Sequence, residues 1–305
     1  KKQGQISVLQ DLSKLIENKY VNEFLLPLND SWQNQLTALD SWGDTSISLQ
    51  RNFFSENVVK LREKDTKCVV IISDALRFEI GMELKDAIES LDRFEAKLEP
   101  LLSEIPSYTQ LGMAALLPQG ELTISNTTTA NVELNGAPTA GLENRKNILT
   151  KFNGGNSVEV LKVEDFLNKN SEESRNITRD NDILFLYQNH IDAIGDSSKT
   201  EGSVFEAVDK TIDEIVTVLR KLMSANASNV FITSDHGFIY QNEKLSESDF
   251  LSESPSGSIQ FSGRRFVLGR NLTETSGFKK FSSEQLKLGN DFDILFPKSI
   301  NRLRK

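Results

Sequence analysis

The sequence predicts an α/β fold in which helices cover both faces of a parallel sheet. The prediction rests on three apolar runs, at residues 69–72, 183–187 and 230–233. Each run is continuously apolar rather than alternating, which is typical of strands that are buried on both faces. Segments with apolar residues at helical spacing separate the runs, and strands that alternate with helices indicate βαβ units and a parallel sheet.

Two parts are expected along the chain: a helical N-terminal segment over residues 1–63 and an α/β domain over residues 64–305. In the first part, apolar residues such as Leu12 and Ile16 recur at helical spacing, and we expect this segment to pack on the domain that follows. Residues 119–145 are rich in Thr, Asn and Gly, which is typical of an insertion.

Two helices of the α/β domain are predicted from their apolar stripes. The first follows Asp74, which can cap it, and its stripe lies within residues 76–91. The second covers residues 204–222 and leads directly into the third apolar run. The last part of the chain is rich in Ser and Glu, and it suggests short strands at 264–269 and 292–296.

Composition describes an ordinary globular chain of 305 residues, 38% hydrophobic and 26% charged. The formal charge of −9 argues against a broad basic surface for nucleic acid, but a bound cation would still allow a phosphorylated substrate.

No apolar stretch approaches the roughly 20 residues that cross a bilayer, and no secretory signal is found, so the cytoplasm is the expected compartment. The lone Cys68 is expected to be a buried, inert thiol. The chain begins with Lys1, and we expect it to be a piece of a longer protein.

An acidic side chain follows each of the three apolar runs, and a histidine lies close to it after the second and third. Asp74 follows the first run, Asp192 and Asp196 follow the second on a predicted loop, and the triplet 235–237 (Asp-His-Gly) follows the third. In an open parallel sheet the site lies beyond the carboxyl ends of the strands, so we expect these residues at one edge. Asp and His together suit zinc or manganese better than calcium.

Each of these acidic residues also has an ordinary structural interpretation. Asp74 can simply cap the following helix, and Asp192 and Asp196 can lie in a solvated turn. His190, the other histidine of the chain, is expected to face away from Asp192 or to pack locally. The metal interpretation therefore depends on several ligands that converge from three strand ends.

The segment 105–118 adds a hydroxyl group to this set. Pro106 and Pro118 bracket a predicted short helix, and Ser107 or Thr109 lies at its N-terminus, where free N–H groups favour an anion. The hydroxyl is either a helix cap or, next to a metal that helps to remove its proton, a nucleophile. With the acidic residues, it completes the parts of a two-metal hydrolase.

Arg77 is a second candidate for the catalytic site. It follows Asp74 by three residues, and its guanidinium can contact a phosphate. The alternative is a salt bridge with Glu79 or with a neighbouring helix.

The sequence resembles the PglZ domain, a branch of the alkaline phosphatase superfamily. The matching strings agree in order and spacing, and they lie at residues 71–79, 106–118, 191–196 and 233–238, with lesser similarity at 136–145 and 265–269. The resemblance covers the chain from about residue 48 to its end.

The resemblance implies an alkaline-phosphatase-like sandwich and a metal-dependent phosphoesterase of BREX-type phage defence. The expected substrates are phosphate mono- or diesters, with DNA as a candidate, and the expected partners are other proteins of the defence complex. By similarity, one metal is held beside the nucleophile by Asp74, Thr109, Asp235 and His236, and a second by Asp192 and Asp196. Zn²⁺ is the expected ion, with Mn²⁺ and Mg²⁺ as alternatives.

One departure from the resembled family concerns the second metal. Many superfamily members carry histidine at the position of Asp196, and relatives supply a further ligand from a His-Gly-Gly segment late in the domain. No such histidine occurs before Lys305. Because two carboxylates then face each other without a neutral ligand, we expect the second position to be weakly held or empty, and the domain to be truncated at its C-terminus.

Two other functions stay open at this stage. The first is a scaffold that keeps the fold and one structural metal but acts by binding partner proteins of the defence complex. The second is a phosphomutase or sulfatase relative. A sulfatase needs an oxidisable Cys or Ser as its nucleophile, and Cys68 lies within the first predicted strand, from which it is not expected to reach the site.

Overall fold

The secondary structure is taken from a computed structural model that describes residues 8–43, 45–126, 128–154, 157–195, 204–239 and 250–303. The α-helices are α1 (Val8–Lys19), α2 (Leu26–Ala38), α3 (Lys60–Arg62), α4 (Phe78–Glu89), α5 (Thr109–Ala115), α6 (Leu142–Phe152), α7 (Val163–Leu167), α8 (Ser171–Asp180), α9 (His190–Gly195) and α10 (Val204–Ser224). The strands are β1 (Cys68–Ser73), β2 (Leu122–Asn126), β3 (Asn131–Leu134), β4 (Ala137–Pro138), β5 (Val158–Lys162), β6 (Ile183–Gln188), β7 (Val230–Thr233), β8 (Ser258–Ser262), β9 (Val267–Arg270), β10 (Phe278–Ser282) and β11 (Asp293–Pro297). Turns of π- or 3₁₀-helix occur at Tyr20–Leu25, Gln50–Asn52 and Phe54–Val59.

The chain divides into two units. The parallel-sheet unit comprises residues 45–241 and 287–290, and the antiparallel unit comprises residues 1–44, 242–286 and 291–305. The boundary that the sequence suggested near residue 63 falls inside the parallel-sheet unit. This difference arises because the helical turns at Gln50–Asn52 and Phe54–Val59 belong with the sheet that follows them.

The centre of the parallel-sheet unit is a four-stranded sheet in the order β5-β6-β1-β7, in which every neighbouring pair is parallel. The three apolar runs of the sequence form β1, β6 and β7, so the predicted parallel sheet is confirmed. The edge strand β5 was not predicted. Its buried residues Val158 and Val160 alternate with the less buried Glu159 and Leu161, and it has no continuously buried run.

Helical elements pack on both faces of this sheet. On one face, Val69 and Ile71 of β1 join a core with side chains of α4, α7 and α10, among them Leu84 of α4. On the other face, Phe54 lies with its ring centroid 6.4 Å from that of Phe185 in β6. Burial of each large aliphatic or aromatic side chain contributes about 1.5–3 kcal/mol, so both layers hold the sheet in place.

The segment that follows β1 differs from the sequence prediction. Helix α4 begins at Phe78, and its N-cap residue Arg77 makes no side-chain cap hydrogen bond. Asp74 lies four residues before the helix, so the interpretation of Asp74 as its cap is wrong. Ala75 has a left-handed backbone with φ of 63°, which makes a turn between strand and helix. The predicted apolar stripe, which includes Leu84, is buried as expected.

Antiparallel strands occupy two regions outside the parallel sheet. The predicted insertion contains the sheet β2-β3-β4, and the antiparallel unit contains the sheet β10-β11-β9-β8. The two short strands predicted late in the chain correspond to β9 and β11. Strands β8 and β10 were not predicted, because β8 is mostly exposed and β10 carries Lys279 and Lys280 between its buried phenylalanines.

The N-terminal segment is helical, as the sequence predicts, but apolar residues of its first helical turns are exposed. Leu12, Ile16 and Phe24 are 50%, 59% and 53% exposed. Later apolar residues of the segment, Phe53, Phe54 and Val58, are buried. Packing of the first helices on the domain that follows stays a prediction. Within the described ranges, no helix has the length and apolar character that crossing a membrane requires.

Burial of β1 predicts that Cys68 is protected from alkylation. The side chain is 1% exposed, and burial raises the pKa of its thiol to about 12, so both access and the thiolate fraction are low. In mildly alkaline buffer, iodoacetamide should label the folded protein at least about 100-fold more slowly than the denatured protein. Mass spectrometry measures the two rates, and similar rates would contradict the buried position of β1.

Candidate metal centre

Two neighbouring strands of the parallel sheet place carboxylates side by side. Strands β1 and β7 pair in parallel with Ile72 opposite Thr233, and Asp74 and Asp235 each lie two residues beyond this pair. His236 follows directly. Asp74, Asp235 and His236 are buried, and each offers one ligand atom within 4.8 Å of the others. The arrangement of these ligands follows from the pairing of two strands that are far apart in the sequence.

The ring of His236 presents a lone pair to this cluster. Its Nδ1 lies 3.0 Å from the carbonyl oxygen of Gly237, which can only accept, so Nδ1 carries the hydrogen and donates it. In the neutral ring, Nε2 then has the lone pair. Nε2 lies 3.5 Å from Asp74 Oδ1 and 3.5 Å from Asp235 Oδ2. A backbone carbonyl that fixes the tautomer in this way is typical of histidines that bind a metal.

Two carboxylate oxygens of the cluster lack a hydrogen-bond donor. Asp74 Oδ1 and Asp235 Oδ2 are buried, and neither has a hydrogen-bond partner among the described residues. The other oxygen of Asp235 accepts a hydrogen bond of 3.1 Å from the backbone N–H of Ala75. Buried carboxylate oxygens without donors are costly, and a divalent cation between them would remove this cost. The donor set of two carboxylates and one imidazole therefore fits a metal ion.

The charge balance of the cluster also favours a bound cation. Burial, followed by the nearby Asp235 and Asp192, raises the pKa of Asp74 to about 9, while Arg145 acts in the opposite direction. Without a cation, the cluster therefore favours a proton on Asp74 at neutral pH. A metal ion would take the place of that proton, so metal binding and proton release are coupled.

Thr109 brings a hydroxyl group to the same place. It is the first residue of α5, and its Oγ1 lies 3.1 Å from Nε2 of His236. The preceding N-cap residue, Tyr108, makes no side-chain cap hydrogen bond. Of the two hydroxyl residues that the sequence offered, Thr109 is the one that the structure places against the imidazole.

Two residues that the sequence reasoning missed hold the loop of Asp235. A Cβ atom on Gly112 of α5 would lie 2.1 Å from the carbonyl oxygen of Asp235, so only glycine allows this close approach. The side-chain amide of the buried Gln50 donates to the carbonyl oxygens of Ser234 and Asp235, at 2.7 Å and 2.6 Å. Its Oε1 accepts from the backbone N–H of Glu104. Gly112 had a signal in the sequence, because glycine is unfavourable inside a helix; Gln50 had none.

The second predicted metal position is only partly described. Asp192 lies on the helix α9, where the sequence predicted a loop, so that prediction is wrong. Its Oδ1 lies 4.0 Å from Nε2 of His236, which places it beside the first cluster. Asp196 lies outside the described residues. The assignment of Asp192 and Asp196 to a second metal stays a prediction.

Arg77 and His190 each contact a glutamate side chain. Nε of Arg77 lies 2.7 Å from Glu79, and its guanidinium also donates to the carbonyl oxygen of Phe238. This is the ion-pair alternative that the sequence left open, and a phosphate contact by Arg77 stays a prediction. Nε2 of His190 lies 3.0 Å from Glu214 of α10, which agrees with the expected local packing.

A cavity of about 380 Å³ adjoins the cluster. Asp74 and Thr109 line it on one side, and other lining residues include Arg145, Tyr187 and Glu214. The cavity is large enough for a small ligand beside the Thr109 hydroxyl. Arg145 was not among the predicted site residues, although it lies in a segment with family resemblance.

Zinc should stabilise this protein through the three-residue cluster. Added to metal-free protein, zinc at 100 times its dissociation constant should raise the free energy of unfolding by about 2.7 kcal/mol. The variant Asp235→Asn should lose most of this gain, because a neutral amide replaces an inward-facing carboxylate. Thermal denaturation with and without zinc measures the effect. The control Asp213→Asn, on the exposed face of α10, should keep the full gain; equal gains in both variants would contradict the assignment.

Gly112→Ala should disturb the metal centre through the Asp235 loop. Because the new Cβ would collide with backbone rather than with a flexible side chain, we expect a loss of about 1–3 kcal/mol in stability and weaker zinc binding. In the control Gly81→Ala in α4, the Cβ meets only a leucine side chain atom at 3.3 Å, and zinc binding should not change. Urea denaturation and zinc titration test both variants. If Gly112→Ala binds zinc like the unmodified protein, the close approach does not position the ligands.

Comparison with known proteins places the chain in a family. A family model described as the BREX system PglZ alkaline phosphatase-like domain matches residues 53–304. The alkaline phosphatase-like protein BrxZ of Escherichia coli O9:H4 (strain HS) is 34% identical over 305 residues, which cover 97% of this chain and 35% of that protein. The alkaline phosphatase-like protein PglZ of Bacillus cereus (strain H3081.97) is 30% identical over 291 residues, which cover 94% of this chain and 34% of that protein.

The chain spans about a third of the length of these two relatives. The family match nevertheless extends over most of the chain, and it includes the strand ends that form the cluster. The parallel sheet flanked by helices is the architecture expected of an alkaline-phosphatase-like fold. The chain therefore belongs to the PglZ family of alkaline phosphatase-like domains from BREX phage-defence systems.

Proposed function

We propose that this domain is the catalytic part of a metal-dependent phosphoesterase. The single observation that carries the proposal is the contact of 3.1 Å between the Thr109 hydroxyl and Nε2 of His236. In the same cluster, two carboxylate oxygens have no donor among the described residues. A nucleophilic hydroxyl beside a set of metal ligands is the arrangement that hydrolysis of a phosphate ester requires. The proposed substrates are phosphate mono- or diesters, with nucleic acid as a candidate.

Asp74, Asp235 and His236 would hold the cation, with Zn²⁺ as the proposed ion because imidazole and carboxylate ligands both suit it. Such an ion would lower the pKa of a hydroxyl group bound to it and would neutralise charge on the phosphate. Asp192 and Asp196 are proposed for a second, weakly held ion. The distance of 4.0 Å between Asp192 Oδ1 and Nε2 of His236 supports this role for Asp192.

Thr109 would act in one of two ways. In the first, its Oγ1 attacks phosphorus, the bond from phosphorus to the leaving oxygen breaks, and water later releases the phosphate from threonine. In the second, its hydroxyl holds a water molecule that attacks directly. In both, α5 fixes the position of Thr109, and the close approach of Gly112 to Asp235 keeps this helix against the loop of His236.

A scaffold function is the second candidate. The observation that favours it is the set of exposed apolar side chains in the N-terminal helical segment, which includes Leu12, Ile16 and Phe24. Exposed apolar side chains that cluster on one element are typical of surfaces that bind proteins. The proposed partners are other proteins of the BREX defence complex. A scaffold does not need the Thr109 hydroxyl, so the two functions can be separated.

The variant Thr109→Ala in the full-length protein tests the enzymatic proposal. With zinc or manganese present, it should hydrolyse p-nitrophenyl phosphate, bis(p-nitrophenyl) phosphate and DNA about 10³-fold more slowly or worse, because the attacking or orienting oxygen is lost. Thr109→Ser should keep a larger share of the rate. The exposed Thr217→Ala in α10 serves as the control. Undiminished hydrolysis by Thr109→Ala would rule out the proposed role and favour the scaffold.

A further inference from the structure

Arg145 is a buried cation beside the cluster of Asp74, Asp235 and His236, and it forms no ion pair with the described residues. It lies in α6 and is 7% exposed. Its Nε donates a hydrogen bond of 3.0 Å to the carbonyl oxygen of Thr139, and its guanidinium carbon lies 4.9 Å from the centre of the Tyr187 ring. In the part of the chain that the structure describes, no Asp or Glu oxygen lies within 4.0 Å of its guanidinium nitrogens. A buried guanidinium keeps its charge, so the charge needs a partner.

The place of Arg145 indicates what that partner is. Arg145 lines the cavity of about 380 Å³ together with Asp74 and Thr109. An anion in this cavity would lie against the guanidinium and next to the Thr109 hydroxyl. The contact with Thr139 and the stacking on Tyr187 fix the plane of the guanidinium in advance, which reduces the entropy lost when an anion binds.

We propose that Arg145 binds the non-bridging oxygens of the substrate phosphate, and this rests on the function proposed above. A planar guanidinium can donate two parallel hydrogen bonds to two phosphate oxygens, which both orients the phosphate and stabilises its charge. The proposal gives Arg145 the role that the sequence suggested for Arg77. The guanidinium of Arg77 is already engaged by Glu79, through Nε at 2.7 Å and through a second, shorter contact.

Charge in the cavity makes such a residue necessary. Glu214 lines the same space, and its carboxylate repels an incoming phosphate. Lys162 also lines the cavity, but it is 59% exposed on its side chain and lies 3.3 Å from Glu164. Among the described residues that line the cavity, Arg145 is therefore the buried cation that can offset this repulsion. It lies where the phosphate must reach Thr109.

Binding of inorganic phosphate to the full-length, zinc-loaded protein tests the proposal without relying on turnover. Isothermal titration should show that Arg145→Met binds phosphate at least about 10-fold more weakly than the unmodified protein, because charge-assisted hydrogen bonds are lost. Arg145→Lys should show an intermediate loss, since it keeps the charge but not the planar pair of donors. The control Arg175→Met removes the same charge from the exposed face of α8 and should bind phosphate normally.

Zinc affinity and circular dichroism of each variant show that the fold and the metal centre persist. If Arg145→Met does not fold, the folded Arg145→Lys variant decides, with a KM for p-nitrophenyl phosphate that rises at least about 5-fold. Unchanged phosphate affinity and KM in the lysine variant, or no phosphate binding by the unmodified protein, would overturn the proposal. Hydrolysis that depends on Thr109 but not on Arg145 would support the proposed function and contradict the role of Arg145. Phosphate binding that depends on Arg145, without any hydrolysis, would support the role of Arg145 and contradict the proposed function.

Discussion

The parallel pairing of β1 with β7 is the constraint on which the site depends. It brings Asp74 and Asp235 together, each two residues beyond the paired residues Ile72 and Thr233. Both aspartates are buried beside His236. Three acceptors that face one another would be unstable without a positive charge between them. The rest of the site supports this arrangement: Gln50 and Gly112 hold the Asp235 loop from two sides, and Ala75 N–H orients the Asp235 carboxylate. The fold thus brings together a set of ligand atoms that suits a cation.

The sequence predicted those parts of the fold that a single local sequence pattern determines. Continuously apolar runs identified β1, β6 and β7, and an aspartate after each run marked the edge of the sheet where the cluster forms. The helix of Thr109 was bracketed by Pro106 and Pro118. These predictions succeeded because burial on both faces of a strand, and proline at helix ends, leave patterns that neighbouring structure rarely overrides.

Other parts depend on contacts between distant residues and could not be predicted. Asp74 either caps a helix or faces Asp235 and His236, and this depends on where α4 begins after the left-handed turn at Ala75. The sequence does not show that Arg77 and Arg145 have different surroundings. In the structure, Arg77 pairs with Glu79 and Arg145 lines the cavity. The second candidate position is also harder to predict, because Asp192 lies on a short helix instead of the expected loop. Local patterns do not determine which partner a charged side chain finds.

The most direct test of the central claim is the X-ray absorption spectrum of the zinc-loaded chain, which has only two histidines. The account predicts one imidazole nitrogen at about 2.0–2.1 Å together with carboxylate oxygens. The imidazole signal should persist in His190→Gln, since His190 pairs with Glu214, and it should vanish in His236→Gln. A signal that persists in His236→Gln, or zinc bound without any imidazole, would contradict a metal centre at the ends of β1 and β7.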